Sequence, residues 1–195
     1  TSEPDKIVAA DYLVLPGVGA FADGMAEFRE RGLIESIREY AATGKPFLGI
    51  CLGMQMMMQR SEEFGTFEGL GLIEGSVVLF DAVDENGGRL KLPHIGWSEL
   101  QPAGESPAWD KTILKNIVPG TPTYFVHSYT AQPVHPENIL AVARYGVHDV
   151  TAAVVRGNLY GTQFHPERSG PAGLEIIKGF LDCGRPVTTE NGQQL

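Results

Sequence analysis

The chain is 195 residues long with 43% hydrophobic and 20% charged residues, a composition typical of one globular domain and unlike that of a disordered chain. Its 15 basic and 24 acidic residues give a net charge of −9, which argues against a nucleic-acid-binding surface or a basic membrane-surface patch. No apolar run approaches the ~20 residues of a membrane span, and the N-terminal residues do not resemble a signal peptide. We therefore predict a cytoplasmic protein in which Cys51 and Cys183 are reduced.

The N-terminal part of the sequence alternates strand and helix patterns. Residues 9–15 form a short apolar run that predicts a buried strand, and residues 23–43 show the apolar spacing of a helix that ends at Gly44. Residues 46–50 predict a second buried strand that continues directly into a helix over residues 52–60. This β-α-β-α order predicts a parallel sheet covered by helices.

The rest of the chain contains shorter strand patterns. Residues 76–80 and 89–93 are separated by Asn86-Gly87, a sequence typical of a hairpin turn. Four further runs between residues 124 and 165 predict a mostly antiparallel section added to the sheet. A final amphipathic helix is expected over residues 171–183, and residues 184–195 form a polar tail. We expect a single domain over residues 1–183.

The sequence Gly49-Ile50-Cys51-Leu52-Gly53 joins the second predicted strand to its helix. A nucleophile with glycine two positions away on either side is the pattern of a nucleophile elbow, in which crowding at a sharp turn requires glycine. The helix N-terminus is expected to lower the pKa of the Cys51 thiol, and the backbone N–H of Leu52 is placed to bind an oxyanion. The alternative is a buried structural cysteine at a strand end.

The sequence His165-Pro166-Glu167 follows the last strand pattern. Residues two apart in an extended chain face the same side, and Pro166 favours an extended link, so Glu167 can orient the His165 imidazole for proton transfer. The alternative is a surface turn with a charged pair.

Gln55 lies one helical turn after Cys51, which predicts that its amide lies beside the thiol. The surrounding methionines are better explained by core packing than by a cofactor site.

Two other kinds of site find little support. Gly17-x-Gly19-x-x-Ala22 fits a loose dinucleotide fingerprint, but Pro16 interrupts it and no acidic partner follows at the required distance. The histidines are scattered, without the spacing of a metal site. We therefore expect neither a metal nor a cofactor.

Three motifs in order, PGVGAF (residues 16–21), GICLGMQ (49–55) and GTQFHPE (161–167), resemble those of the class I, or triad, glutamine amidotransferases. Within that class, PHIGW (93–97), YFVHSY (124–129) and QFHPERSG (163–170) resemble the HisH family, the glutaminase subunits of imidazole glycerol phosphate synthase. The resemblance implies an α/β, flavodoxin-like three-layer fold with a central, mostly parallel sheet and an added antiparallel section. Ser98 departs from it, because the family motif continues PHxGW with Asn.

The resemblance also implies roles for individual residues. Cys51 attacks the carboxamide of L-glutamine, His165 transfers the proton and Glu167 orients His165. The substrate and its oxyanion are held by side-chain or backbone groups of Gly17, Val18, Gly19, Leu52, Gln55, His127, Ser128 and Tyr129. Trp97 matches a residue near a (β/α)₈ cyclase subunit resembling HisF, which receives the ammonia in a heterodimer and makes imidazole glycerol phosphate for histidine biosynthesis.

Alternative functions remain open at this stage. The chain could supply ammonia to a sugar amidotransferase of surface-polysaccharide synthesis, or act alone as a γ-glutamyl thiol hydrolase. A non-enzymatic interaction subunit is disfavoured by the intact Cys51, His165 and Glu167.

Members of the family begin with a strand and a helix before the segment that matches residues 1–10. We therefore expect the natural gene product to carry an additional strand and helix before Thr1.

Overall fold

The computed structural model describes residues 1–104 and 108–184, and the polar tail expected over 184–195 lies outside them except for Gly184. The helices are α1 Pro4–Ala9, α2 Phe21–Glu30, α3 Ile34–Ala42, α4 Leu52–Met56 and α5 Gly170–Cys183, with 3₁₀ turns at Trp109–Lys111, Pro136–Asn138 and Pro166–Arg168. The strands are β1 Leu13–Gly17, β2 Phe47–Cys51, β3 Met58–Ser61, β4 Phe67–Glu68, β5 Ile73–Leu79, β6 His94–Pro102, β7 Pro122–His127, β8 Tyr129–Pro133, β9 Ile139–Tyr145, β10 His148–Arg156 and β11 Leu159–Thr162.

The main sheet has the strand order β1-β2-β11-β10-β9-β6-β7. Strands β1, β2 and β11 are parallel, and every pairing from β11 to β7 is antiparallel. The parallel core and the antiparallel section are therefore both present, as predicted. Four antiparallel pairings separate β11 from β7, so β7 runs in the same direction as the parallel strands. The carboxyl ends of β1, β2, β11 and β7 consequently meet at one edge of the sheet.

Two buried clusters lie on opposite faces of this sheet. Leu48 and Ile50 of β2 belong to one cluster, together with Ile176 of α5. Phe47, which points to the other face of the same strand, belongs to the second cluster with Ile37 of α3. Because each face is covered by helices, the domain has the predicted three layers. A smaller sheet of order β4-β3-β5-β8 packs beside the main sheet. No helix among residues 1–104 and 108–184 is long and apolar enough to cross a membrane.

The two helices predicted in the first sixty residues are both shorter than expected. The helix expected over residues 23–43 is divided into α2 and α3, because Gly32 adopts a φ of 65° and the chain turns there. Leu33 N–H donates to the Phe28 carbonyl and Gly32 N–H to the Arg29 carbonyl, which is the Schellman pattern of a helix end. The helix expected over residues 52–60 ends at Met56, and the chain then continues as β3.

The first strand also differs from the expectation. Residues 4–9 form α1, and β1 begins at Leu13 and continues through Pro16 to Gly17. Among the described residues β1 pairs only with β2, and Val14 in this edge strand is 45% exposed. The additional strand expected before Thr1 stays a prediction.

Candidate active site

Cys51 lies in the sharp turn between β2 and α4. Its φ of 54° and ψ of −110° are rare for a residue with a side chain. The turn needs both flanking glycines, because a Cβ on Gly53 would overlap the Leu15 carbonyl oxygen and one on Gly49 would lie 2.8 Å from the Gly53 backbone. The elbow geometry predicted from the sequence is therefore present, and it places Cys51 at the edge where the parallel strands end.

His165 and Glu167 follow β11 at the same edge. The His165 Nδ1 donates to the Glu167 Oε1 at 2.7 Å, although the link is a 3₁₀ turn at Pro166–Arg168 and not the extended segment expected. The His165 imidazole is buried, and its Nε2 has no hydrogen-bond partner among the described residues. The carboxylate thus fixes the proton on Nδ1 and leaves Nε2 as the base.

Cys51 and His165 line the same cleft, which has a volume of about 500 Å³ and is large enough for a ligand the size of an amino acid. The other residues that line it are Val18, Gly19, Leu52, Gln55, Glu63, Phe64, Pro93, Val126, His127, Ser128 and Tyr129. The cleft therefore brings together most of the substrate-binding residues expected from the sequence.

Besides Glu167, which reaches the cleft through His165, two of the expected residues lie outside the cleft lining: Gly17 and Trp97. Gly17 pairs with Cys51 in the parallel ladder, and a Cβ there would lie 3.1 Å from the Leu52 Cβ. It supports the elbow by close approach. Trp97 lies on β6, is 57% exposed and packs edge-to-face against Tyr124 at 5.9 Å between ring centroids.

The electrostatics of Cys51 differ from the expectation. Burial raises the pKa of the Cys51 thiol to about 11, and the negative charge of Glu167 adds to this rise. Hydrogen bonding from the Leu52 backbone and from Gln163 opposes the rise without overcoming it. The predicted net lowering of the Cys51 pKa is wrong, because desolvation by burial outweighs the lowering by the Leu52 N–H at the start of α4. In the free protein the nucleophile is therefore a thiol that needs a base.

Gln55 is held by the protein and does not point freely at the substrate. Its Nε2 donates to the Tyr129 carbonyl at 3.2 Å and to the Gln163 Oε1 at 3.1 Å. Both amide hydrogens are thus used, and the Oε1 is the atom that can accept from a ligand. Gln163, which lies in the GTQFHPE motif but was assigned no role from it, is buried, and its Nε2 lies 3.7 Å from the Cys51 Sγ.

Glu63 is a second residue that the motifs did not indicate. It lines the cleft, and its Oε2 accepts a hydrogen bond from the Phe21 N–H at 2.7 Å, which ties the cleft to the start of α2. Phe64 beside it is 85% exposed at the cleft. Neither residue belongs to a motif centred on the nucleophile or the base, and they reach the cleft only because β3 turns back beside α4.

The helix after Cys51 ends at Met56 because its carbonyls bond elsewhere. The Met56 carbonyl accepts from the Leu70 N–H at 2.8 Å, and the Met57 carbonyl accepts from Ile73 at 3.0 Å. The chain then continues as β3, which pairs with β5. Four methionines of this segment are buried core residues, as the sequence analysis favoured: Met54, Met56, Met57 and Met58.

Comparison with known proteins identifies the family. The sequence pattern of the family "Glutamine amidotransferase class-I" matches residues 2–183. The chain is 52% identical to the imidazole glycerol phosphate synthase subunit HisH 1 of Legionella pneumophila (strain Lens), over 92% of this chain and 84% of that protein. It is 47% identical to the HisH subunit of Bacillus licheniformis, over 92% of this chain and 82% of that protein.

Solved structures share the fold at much lower sequence identity. One crystal structure of a glutamine amidotransferase superposes with a TM-score of 0.65 at 16% identity, over 94% of this chain and 84% of that chain. A glutamine amidotransferase from Thermotoga maritima gives a TM-score of 0.54 at 19% identity, over 88% of this chain and 63% of that chain. At such identities these likenesses establish the fold alone.

Proposed function

The chain belongs to the class-I glutamine amidotransferase family and within it to the HisH family, and on this basis we propose that it is the glutaminase subunit of an imidazole glycerol phosphate synthase. It hydrolyses L-glutamine to glutamate and ammonia in the cytoplasm, where its free cysteines stay reduced. The observation that carries the proposal is the meeting of Cys51 and the carboxylate-oriented His165 in one cleft of a chain with this ancestry.

The chemistry begins with the transfer of the Cys51 proton to the His165 Nε2. The Sγ attacks the carboxamide carbon of glutamine, and the resulting tetrahedral intermediate collapses to a thioester as the C–N bond breaks. The imidazolium gives its proton to the leaving amine, so ammonia is released. Water, deprotonated by His165, then attacks the thioester, and glutamate leaves as the thiol re-forms. Glu167 stabilises the imidazolium in both halves of the reaction.

The oxyanion of each tetrahedral intermediate faces the start of α4. We assign one donor to the Leu52 N–H and the other to the turn at Val18 and Gly19. Gly19 has a φ of 103° and open space around it, and Val18 is 79% exposed. This turn can therefore change its peptide orientation, and we expect the partner subunit to complete the oxyanion hole through it.

Side chains that line the cleft offer partners for parts of the substrate. Glu63 supplies a carboxylate for the α-ammonium group of glutamine. We assign the rest of the molecule to the Gln55 Oε1 and the backbone of residues 127–129, which line the same cleft. A stand-alone hydrolase of γ-glutamyl peptides would need the cleft to admit a second residue beyond the carboxamide.

The partner surface lies on β6. Ile95 and Trp97 are 58% and 57% exposed and, two residues apart on one strand, share a face. Aromatic side chains are enriched in the cores of protein interfaces. We assign this face to the contact with a cyclase subunit resembling HisF, which accepts the ammonia in a heterodimer and uses it to form imidazole glycerol phosphate.

The test is to purify the chain alone and with a HisF-like barrel, and to measure glutamate release with and without the barrel's ligand. We expect weak hydrolysis by the isolated chain and strong stimulation by the ligand-loaded partner. Full turnover without a partner, or faster cleavage of γ-glutamyl peptides than of glutamine, would instead favour the stand-alone hydrolase.

A further inference from the structure

Four residues form a continuous chain of hydrogen bonds from β6 to the substrate cleft. The Ser98 Oγ lies 3.1 Å from the His94 Nε2, and the His94 Nδ1 lies 3.4 Å from the His127 Nε2. The His127 Nδ1 lies 2.9 Å from the Tyr129 carbonyl oxygen. Ser98 adjoins the exposed Trp97, whereas His127 and Tyr129 line the cleft. The chain thus connects the surface strand to the glutamine site.

The direction of every bond in this chain follows from its last acceptor. A carbonyl oxygen can only accept, so the His127 Nδ1 carries a proton. When His127 is neutral its Nε2 is an acceptor, so the His94 Nδ1 must donate to it. The His94 Nε2 is then an acceptor in turn, and the Ser98 hydroxyl donates to it. Both histidines are therefore fixed as the Nδ1–H tautomer.

The surroundings keep both rings neutral and in place. Burial lowers the pKa of His127 to about 4 and lowers the pKa of His94, so neither is charged near neutral pH. The His94 ring is stacked between Phe125 at 5.2 Å and Tyr145 at 4.1 Å between ring centroids. This stacking restrains the orientation of the ring that presents Nδ1 to His127.

We propose that His94 and Ser98 are positioning residues for the glutamine site, which bond to the Nε2 of the Nδ1–H tautomer of His127, orient its ring and thereby fix the Tyr129 carbonyl in the cleft. That carbonyl accepts from both the His127 Nδ1 and the Gln55 Nε2, so its orientation also sets that of the Gln55 amide. The effect on glutamine binding rests on the proposed function, whereas the tautomers do not depend on it.

The direct test is long-range ¹H–¹⁵N NMR of the histidine side chains in the wild-type protein near pH 7.5. We expect both His94 and His127 to show a protonated Nδ1 and an unprotonated Nε2. His148, which is exposed on β10, serves as the reference for a solvated ring. The Nε2–H tautomer at either His94 or His127 would overturn the proposal, whatever the activity of the protein.

The kinetic test compares His94→Phe with Tyr145→Phe. His94→Phe keeps a flat ring between Phe125 and Tyr145 but removes the donor to His127. We expect His127 to keep its Nδ1–H tautomer, which the Tyr129 carbonyl requires, but to lose the bond that holds its Nε2 and fixes the orientation of its ring. The KM for glutamine should then rise about fivefold, equivalent to about 1 kcal/mol, with little change in kcat. Tyr145→Phe loses a hydrogen bond to the Lys91 carbonyl beside the same ring but leaves the chain intact, so its KM should stay at the wild-type value.

A second pair of variants keeps the proposal testable if His94→Phe does not fold. Ser98→Ala removes the hydroxyl that donates to the His94 Nε2, so both tautomers of His94 should be populated and the KM for glutamine should rise. Ser98→Thr retains a hydroxyl, so the Nδ1–H tautomer of His94 and the wild-type KM should both be kept. An equal rise in KM for Tyr145→Phe and His94→Phe, or identical behaviour of Ser98→Ala and Ser98→Thr, would contradict the proposal. If the wild-type protein shows the expected tautomers but no glutaminase activity with its partner, the proposed function fails and the hydrogen-bond chain stands.

Discussion

The Gln163 Nε2 lies 3.7 Å from the Cys51 Sγ, so a buried amide faces the nucleophile from the neighbouring strand. Gln163 follows the end of β11, and Cys51 ends β2, which pairs with β11 in parallel. The amide is itself fixed, because its Oε1 accepts from the Gln55 Nε2 at 3.1 Å. A donor aimed at sulfur stabilises the thiolate more than the thiol, and it lowers the pKa of Cys51 against the larger effect of burial.

Gln163→Glu tests this contact. The substitution keeps an oxygen for Gln55 but replaces the donor near Cys51 by a carboxylate. A hydrogen bond to a charged group contributes about 1.5–3 kcal/mol, so we expect the glutaminase kcat of the partner-activated complex to fall at least about tenfold. Gln59→Glu, an exposed position on β3, is the matched control and should retain full kcat. An unchanged kcat in Gln163→Glu would show that the amide does not act on the thiolate.

The raised pKa of Cys51 predicts how the thiol reacts with an alkylating reagent. Only the thiolate reacts with iodoacetamide, and burial raises the pKa of Cys51 to about 11. In the free protein the alkylation rate should therefore rise about tenfold per pH unit throughout the range from 7 to 10, because the thiolate fraction does so. Peptide mass spectrometry measures Cys51 separately from Cys183. A rate that levels off below pH 8 would mean that the thiolate is already stabilised without substrate.

Glu63→Gln tests the assignment of the α-ammonium site. The glutamine side chain can still accept from the Phe21 N–H, so the contact with α2 is kept while the charge is lost. We expect the KM for L-glutamine to rise about tenfold with kcat nearly unchanged, because one charge-assisted hydrogen bond is weakened. Glu62→Gln removes the neighbouring exposed carboxylate and should leave KM alone. Equal effects of the two substitutions would point to a general electrostatic influence.

The buried His127 predicts the pH dependence of stability. Its folded-state pKa of about 4 lies below the unfolded value of 6.5, so the unfolded chain binds more protons between these pH values. The contribution of His127 is therefore fully present above pH 6.5 and is lost as the pH falls toward 4. Between those limits the free energy of unfolding should fall by about 3 kcal/mol more in the wild type than in His127→Phe. Urea unfolding at a series of pH values measures this, and parallel curves for the two proteins would contradict it.

The elbow and the edge of the sheet could be predicted from sequence because the glycines on either side of Cys51 form a recognisable local pattern. Gly49 is required by the nearby Gly53 backbone, and Gly53 by the Leu15 carbonyl of the adjacent strand. The break between α2 and α3 also had a local signal, since Gly32 occupies a left-handed position that ends helices. Apolar residues at helical spacing occur on both sides of Gly32, so the spacing predicted one helix where the structure has two.

Other features depend on contacts that no local pattern contains. The helix after Cys51 stops at Met56 because its carbonyls bond to residues 70–73, although methionines favour helix continuation. The pKa of Cys51 follows from burial by the whole domain rather than from the helix beside it. Glu63 joins the site through the same long-range packing, which explains why motif spacing did not indicate it.

The central claim is that Cys51 forms a covalent γ-glutamyl thioester. The most direct measurement is acid quench of the partner-activated complex turning over ¹⁴C-labelled L-glutamine, followed by peptide mapping. We predict that the label remains on the peptide containing Cys51 in the wild type and in Cys183→Ala, and that Cys51→Ala carries no label and releases no glutamate while still binding the partner and allowing cyclisation with added ammonia. Glutamate release by Cys51→Ala near the wild-type rate, or label on another peptide, would contradict the account.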